Sequence, residues 1–339
     1  MNVTTIGIDL AKSVFSIHGV DRHGKVVLRK QLSRAKLLPF LAQLPPCLVG
    51  MEACSSAHHW ARELEKLGHR VGIMAPRFVA PYRKSGKNDD NDAEAICEAV
   101  ARPQMRFVAV KSAEQQAVLC LHRIRQGAVT ERTAQINQLR GLLAEFGLVM
   151  PKGRYSAQRE VPLILEDAEN GLPMLARRLL NDVYQRVLRL HEEILSYDRE
   201  LSALARQSQD AQRIMQLPGI GMQTATAVLA SAPNPALFKS GRHFAAWLGL
   251  VPRQYSSGGK TRLGRITKRG DKYLRTLLIH GARSVLATVS GKEDRLSQWV
   301  RELIARRGIK KAAVALAAKN ARILWALLMK RQDYQAQPV

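Results

Sequence analysis

Hydrophobic residues near the start of the chain fall in short runs rich in β-branched side chains. Residues 3–9, 14–20 and 25–32 predict three strands, with turn chemistry from Gly19 to Gly24 between the second and third. Residues 34–43 have a helical pattern. The run Cys47-Leu48-Val49-Gly50-Met51-Glu52 is apolar and ends in an acid, as a buried parallel strand does. Helical spacing returns over 56–67, where Trp60, Leu64 and Leu67 share a face; 71–74 predicts a strand and 89–101 a helix. The order βββ-α-β-α-β-α specifies an α/β domain, a mixed sheet flanked by helices.

The remainder reads as helical. Residues 113–146 carry Ala117, Leu121, Ile124 and Ala128, then, after a register break, Ile136, Leu139, Leu143 and Phe146. Pro151, Gly153 and Pro162 bracket a basic connector. Over 176–204 the apolar positions Ala176, Leu180, Val183, Val187, Leu190, Ile194, Tyr197, Leu201 and Leu204 alternate by four and three, the seam of a coiled coil. It predicts a helical pair with 113–146 that also contributes to self-association. Leu217-Pro218-Gly219-Ile220-Gly221 precedes a helix over 222–231. Two glycines so placed suit either a plain turn or a helix-hairpin-helix-like element whose backbone N–H groups meet a phosphate. Phe244, Trp247, Leu248 and Leu250 form a core patch. Helical runs follow at 271–288 and 293–330, and the tail beyond Arg331 is expected to fray.

Charge changes this picture. Fifty-three Lys and Arg against 28 Asp and Glu give a formal net charge of +25 in 339 residues. An excess that large implies a polyanionic partner and salt-dependent binding. Membrane binding is the rival reading of basicity, and no apolar run approaches the roughly 20 residues of a bilayer span. A cytoplasmic, nucleoid-associated protein is expected. Cys47, Cys54, Cys97 and Cys120 show no C-x-x-C spacing, as expected of reduced, mostly buried thiols. In the local cluster Cys54, His58 and His59, Cys54 and His58 lie four apart and could share a helix face as zinc ligands, but clear third and fourth ligands are lacking, so packing or substrate contact is the better reading.

Between Arg253 and Arg275 lie eight Lys or Arg and one acid, Asp271. The stretch holds Ser256-Ser257-Gly258-Gly259 and then Lys260, Arg262, Arg265, Lys268, Arg269 and Lys272. It is poor core material and predicts a mobile loop on which phosphates approach the backbone. Gly259-Lys260-Thr261 matches the end of a P-loop, but Gln254 stands where its first glycine belongs. Asp9 and Glu52 each end an apolar run, which suggests that both meet a positive group at one sheet edge. In a ribonuclease-H-like topology these two strands are neighbours. Asp89 and Asp92 share one face of the helix they begin; Asp90 does not. Acids are also favoured at any helix N-terminus. Four converging carboxylates stay ionised only by sharing cations, and hard oxygen ligands select Mg²⁺ or Mn²⁺.

Gly7-Ile8-Asp9, Met51-Glu52-Ala53, Asp89…Asp92-Ala93-Glu94, Leu217-Pro218-Gly219-Ile220-Gly221 and Ser256-Ser257-Gly258 occur in one order. Together they resemble the DEDD-type insertion-sequence transposases, the "one-ten" family with its "eleven-eleven" subgroup. The resemblance spans residues 4 to 330. It implies a RuvC-like metal-binding domain over 1–110, a coiled-coil region over 111–212, and a mostly helical transposase domain over 213–331, with a flexible tail at 332–339. It implies an Asp-Glu-Asp-Asp tetrad, by motif Asp9, Glu52, Asp89 and Asp92, holding Mg²⁺. Asn88 stands where threonine is commoner in the family, and Asp90 competes with Asp89. The nucleophile that would form a phosphoserine is Ser257, with Ser256 the alternative. Arg253, Lys260, Arg262, Arg265, Lys268, Arg269, Lys272, Gly219 and Gly221 are then nucleic-acid contacts. DNA, a structured bridge RNA and further copies of the chain, as dimer or tetramer, are the implied partners. Two rivals stay open: a hydrolytic nuclease acting on branched DNA, and a non-catalytic nucleic-acid-binding protein.

Overall fold

The computed structural model describes residues 2–84, 86 and 88–336. Its chain divides into two compact units, one up to Gln116 and one from Ala117 on.

In the first unit, β1 (Thr5–Leu10), β2 (Val14–Val20) and β3 (Val26–Ser33) are followed by a 3₁₀ turn and α1 (Leu37–Leu41). Then come β4 (Leu48–Glu52), α2 (Ala57–Lys66), β5 (Arg70–Met74), the short α3 (Pro76–Val79), α4 (Asp89–Val100) and β6 (Phe107–Val108). The sheet order is β3-β2-β1-β4-β5-β6. Strand β1 pairs antiparallel with β2 and parallel with β4, so the sheet is mixed, as its alternating and continuous apolar runs require. α3 and β6 were not foreseen: four and two residues are too short to show a period. One face of the sheet packs α1 and α2 through Phe15, Leu37, Leu41, Trp60 and Leu64. On the other, Gly7 and Gly50 bring α4 so near that a Cβ on either glycine would come under 3.0 Å from that helix. Glycine is required at both positions for this approach. Of the cysteines only Cys47 and Cys97 are buried; Cys54 and Cys120 are exposed, contrary to expectation.

The second helical segment begins with α5 (Ala113–Glu145), one unbroken helix across the expected register break. α6 (Arg154–Glu166) and α7 (Met174–Gln207) follow. Arg125 bonds Asp198 and Arg132 bonds His191, while Ala128 packs with Ile194, and Leu139 with Tyr184 and Leu180. Positions on α5 thus fall as those on α7 rise, which makes the two an antiparallel hairpin within one chain. Ile124 does not join its seam and is 55 % exposed; the buried position there is His122.

The basic connector is a helix, α6, despite Pro162 in its interior. Proline leaves the carbonyl four residues back without its helical donor. That carbonyl belongs to Gln158, and the Tyr184 hydroxyl donates to it at 3.3 Å. Burial of Ala157 and Val161 in the same cluster holds the helix in place.

The chain then forms α8 (Gln209–Met215), α9 (Met222–Ser231), α10 (Gly241–Trp247), a hairpin of β7 (Pro252–Ser257) and β8 (Lys260–Ile266), α11 (Lys272–Leu286), α12 (Arg295–Arg307) and α13 (Ile309–Lys330). Phe244, Leu248, Leu274, Leu278, Leu316 and Leu324 are central to one core. The expected single run over 293–330 is broken at Gly308, whose φ of 77° ends α12. α13 is long and apolar enough to cross a membrane by length and composition, contrary to the expectation that no run approaches a bilayer span. Its Ala312, Leu316, Ala317, Ala321 and Leu324 are nevertheless fully buried in this core. The tail is docked at Tyr334, whose N–H donates to Gln216 at 2.9 Å. Residues 337–339, also expected to fray, lie outside the described residues.

A buried polar layer joins α5 to α9 and α11. His122 Nδ1 lies 2.9 Å from the Tyr273 hydroxyl and Nε2 lies 3.0 Å from Thr226 Oγ1. Thr226 donates its own proton to the Met222 carbonyl, so Nε2 carries the imidazole proton and Nδ1 accepts from Tyr273. Burial holds the His122 pKa down to about 4. The unfolded chain therefore binds a proton near pH 6.5 that the folded chain refuses until about pH 4. This group's stabilisation is complete above the unfolded value and falls by about 3 kcal/mol as pH drops to 4. Denaturation of the wild type and of His122→Gln over that range should show the excess acid sensitivity in the wild type alone.

Candidate functional site

The register of the sheet places the first pair of acids. Ile8 of β1 lies opposite Met51 of β4, so Asp9 and Glu52, each one residue on, end neighbouring parallel strands side by side. Their side chains alternate with the buried Ile8 and Met51, and so share the face of Gly7 and Gly50. That face carries α4. Gly7 abuts Ala93 and Cys97, while His18, opposite Gly7, feels the charge of Glu94. One pleat further, Asp9 pairs with Ser16 and Ser16 with Gln31, and Gln31 donates to Asp90 at 3.4 Å. α4 thus runs against β1, and its first turn lies at the level of Asp9.

The acids of that turn divide. Asp90 and Glu94, four apart, face β3, where Gln31 meets Asp90 and Arg29 meets Glu94 at 3.7 Å. Lys84 donates to Glu94 at 2.6 Å and holds its carboxyl below the usual range. Asp92 is buried and accepts from Arg83 Nε at 2.5 Å. Asp89, three residues before Asp92, shares its side of the helix and is exposed. Asn88 caps α4 by accepting from the Asn91 N–H at 2.7 Å. Neighbouring Lys87 lies outside the described residues. Four hard carboxylates are the donor set Mg²⁺ or Mn²⁺ prefers, and all four lie on elements meeting at one corner. Among the described residues, however, no three Asp, Glu, His or Cys side chains are gathered closely enough to hold a metal ion. The Cys54, His58 and His59 cluster also fails to gather: His58 is engaged by Lys111 and His59 packs edge-on to Trp60.

In the second unit the basic stretch is a β-ribbon, not the loop expected. Gly258 and Gly259 have φ of 53° and 73°, and they close a two-residue turn in which both central residues need positive φ. Ser257 pairs with Lys260, Ser256 with Thr261 and Tyr255 with Arg262. Directly paired residues share a face. Ser257 therefore stands with Tyr255, Lys260 and Arg262, whereas Ser256 stands with Gln254 and Thr261 and accepts from Gln254 at 2.9 Å. Arg253, Lys260, Arg262, Arg265, Lys268, Arg269 and Lys272 are all exposed. Gly259-Lys260-Thr261 leads into a strand, which excludes a P-loop.

Sequence reasoning missed the anchor of this ribbon. Arg275, counted among the eight cations, is buried and donates to the carbonyls of Leu248, at 3.0 Å, and Gly270, at 3.2 Å. Gly270 packs against Trp247 and Leu248 with no room for a Cβ. The ribbon thus projects from a fixed base. Gly219 has φ of 87° and abuts Gly281 of α11, so its identity has a structural reason. Gly221 precedes α9 and, with Gln223, His280 and Ser284, borders an open groove of about 510 Å³.

Comparison with known proteins supplies the context for both sites. Residues 6–147 match a DEDD transposase model of the IS110 type, and residues 211–298 match the model of the Transposase IS116/IS110/IS902 family. The chain is 52 % identical over 336 residues to a probable family 20 transposase of Pseudomonas aeruginosa, covering 99 % of each. It is 46 % identical to the transposase for insertion sequence element IS1111A of Coxiella burnetii, over 98 % of this chain and 92 % of that one. With the transposase for insertion sequence element IS1328 of Yersinia enterocolitica it shares 45 % identity over 96 % of both. A mixed six-stranded sheet with acids on adjacent strand ends, and these matches along nearly the full length, make the chain a member of the IS110/IS116 family of insertion-sequence DEDD transposases.

Proposed function

We propose that this transposase is an RNA-guided recombinase that cuts and rejoins DNA through a covalent phosphoserine at Ser257. The observation carrying this reading is the placement of Ser257: exposed, at the tip of a rigidly based ribbon, on the face that holds Lys260 and Arg262. In the first step Ser257 Oγ bonds to phosphorus and loses its proton, while the phosphodiester bond to the leaving strand breaks and its oxygen gains a proton. Attack by another strand's hydroxyl reverses the sequence and frees the serine, so no external energy source is consumed. Lys260 and Arg262 neutralise charge gathering on the phosphoryl oxygens.

Asp9, Glu52, Asp89 and Asp92 are the groups that would hold Mg²⁺ or Mn²⁺. Such an ion supplies acidity to a bound hydroxyl and neutralises charge on a leaving oxygen. Asp90, turned toward Gln31, is left out of this set. The net charge of +25 and an aromatic content of only 5 % suit backbone contacts rather than base stacking, which leaves sequence choice to a pairing RNA. Self-association is supported by Met174, Leu175 and Leu179 at the start of α7, which are 77, 61 and 49 % exposed.

The test is to purify the protein from cells with its RNA, add DNA bearing the element's ends, and separate the products under denaturing conditions. A protein–DNA adduct that requires the RNA is expected. Cleaved DNA without an adduct would establish instead the hydrolytic nuclease reading, in which Ser257 is an ordinary turn residue.

A further inference from the structure

Among the acids assigned to the metal, Asp92 already carries a cationic partner, Arg83. We infer that Arg83 is a displaceable counter-cation of Asp92, which must leave that carboxylate before a metal ion can bind through it. The inference rests on the metal-site reading above.

Arg83 follows the turn of α3 and the 3₁₀ segment Ala80–Tyr82, and its N–H donates to the Ala80 carbonyl at 3.3 Å. Tyr82 and Val79 of that turn pack with Ile96 and Ala99 of α4, so the backbone delivering Arg83 is fixed to the helix that carries Asp92. The pair is sheltered: the Arg83 side chain is 29 % exposed and that of Asp92 11 %. The adjacent Lys84–Glu94 pair has a lysine side chain 75 % exposed and adds little. A partly buried carboxylate needs a partner, and Arg83 is that partner.

Arg83 Nε and a metal ion compete for the same atom. The guanidinium meets Oδ1 at 2.5 Å, and a divalent ion bound through that oxygen would face its positive charge close by. Loading therefore requires Arg83 to swing out, which its partial exposure permits. The planar fork then released at the rim suits a phosphate, so arrival of nucleic acid and loading of metal favour one another. Two cations thus take turns on one carboxylate.

The measurement is Mn²⁺ affinity by calorimetry, with Mn²⁺ as the only ligand, for wild type, Arg83→Gln, Arg83→Lys and Asp9→Asn. Arg83→Gln should bind Mn²⁺ about tenfold more tightly than wild type, with Arg83→Lys between them. Arg83→Lys keeps a cation beside Asp92 and tests the idea even if Arg83→Gln folds poorly by circular dichroism. Asp9→Asn should bind weakly or not at all. Equal or weaker binding by both Arg83 variants, with Asp9→Asn still defective, overturns the exchange and leaves the metal site standing. Absence of binding to wild type and to both Arg83 variants alike, or full binding by Asp9→Asn, removes the metal-site reading and this inference with it.

Discussion

Ser257→Ala should leave no covalent protein–DNA adduct and lower strand exchange by a factor of about a thousand or more, the scale on which loss of a nucleophile is felt. Ser256→Ala should retain both adduct and exchange. The two residues are adjacent, alike in chemistry and both exposed, so residue type and burial do not separate them. Strand alternation does. Ser257 lies directly across from Lys260 and on the face of Arg262, where an approaching phosphate meets two cations. Ser256 faces Thr261 and already accepts a hydrogen bond from Gln254. A denaturing gel of both variants with end-bearing DNA decides the matter. An adduct that persists in Ser257→Ala and vanishes in Ser256→Ala would transfer the nucleophile to the other face of the ribbon.

The difference between those faces was not visible in the sequence, and the reason is physical. β7 and β8 are exposed along nearly their whole length, so no apolar alternation marks them as strands. The one available signal was Gly258-Gly259 between Ser257 and Lys260, the composition of a two-residue hairpin turn. Its flanking cations suggested a loop instead. α6 was hidden for a different reason: Pro162 argues against a helix unless a remote group, here Tyr184, satisfies the stranded carbonyl. The sheet was far more legible, because β1, β4 and β5 are buried and their apolar runs are continuous. Asp9 and Glu52 stood out as acids ending such runs. The ion pair between Arg83 and Asp92 did not: it depends on how a short turn docks on α4, and nine residues of separation give no periodic clue.

Legibility of that sheet also rests on two glycines that propensity alone disfavours in strands, and one of them carries the second large effect. Gly7→Ala should destabilise the first unit by about 3 kcal/mol, at or above the upper end for overpacking, and should impair DNA cleavage beyond what unfolding explains. A Cβ at this position would press on the Ala93 carbonyl and the Cys97 N–H, which are helix backbone and cannot step aside as a side chain can. α4 must then shift from the sheet, taking Asp89 and Asp92 away from Asp9 and Glu52. Gly19→Ala is the matched control. Its Cβ would meet side chains, Leu28 Cβ and Val3 Cγ1, both at 3.1 Å, and a cost of about 1 kcal/mol is expected there. Chemical denaturation of both variants, alongside cleavage assays under conditions where each is folded, separates the two effects. Equal stability losses in the two would mean that α4 does not press on β1 as described, and the proposed grouping of the four carboxylates would have to be drawn differently.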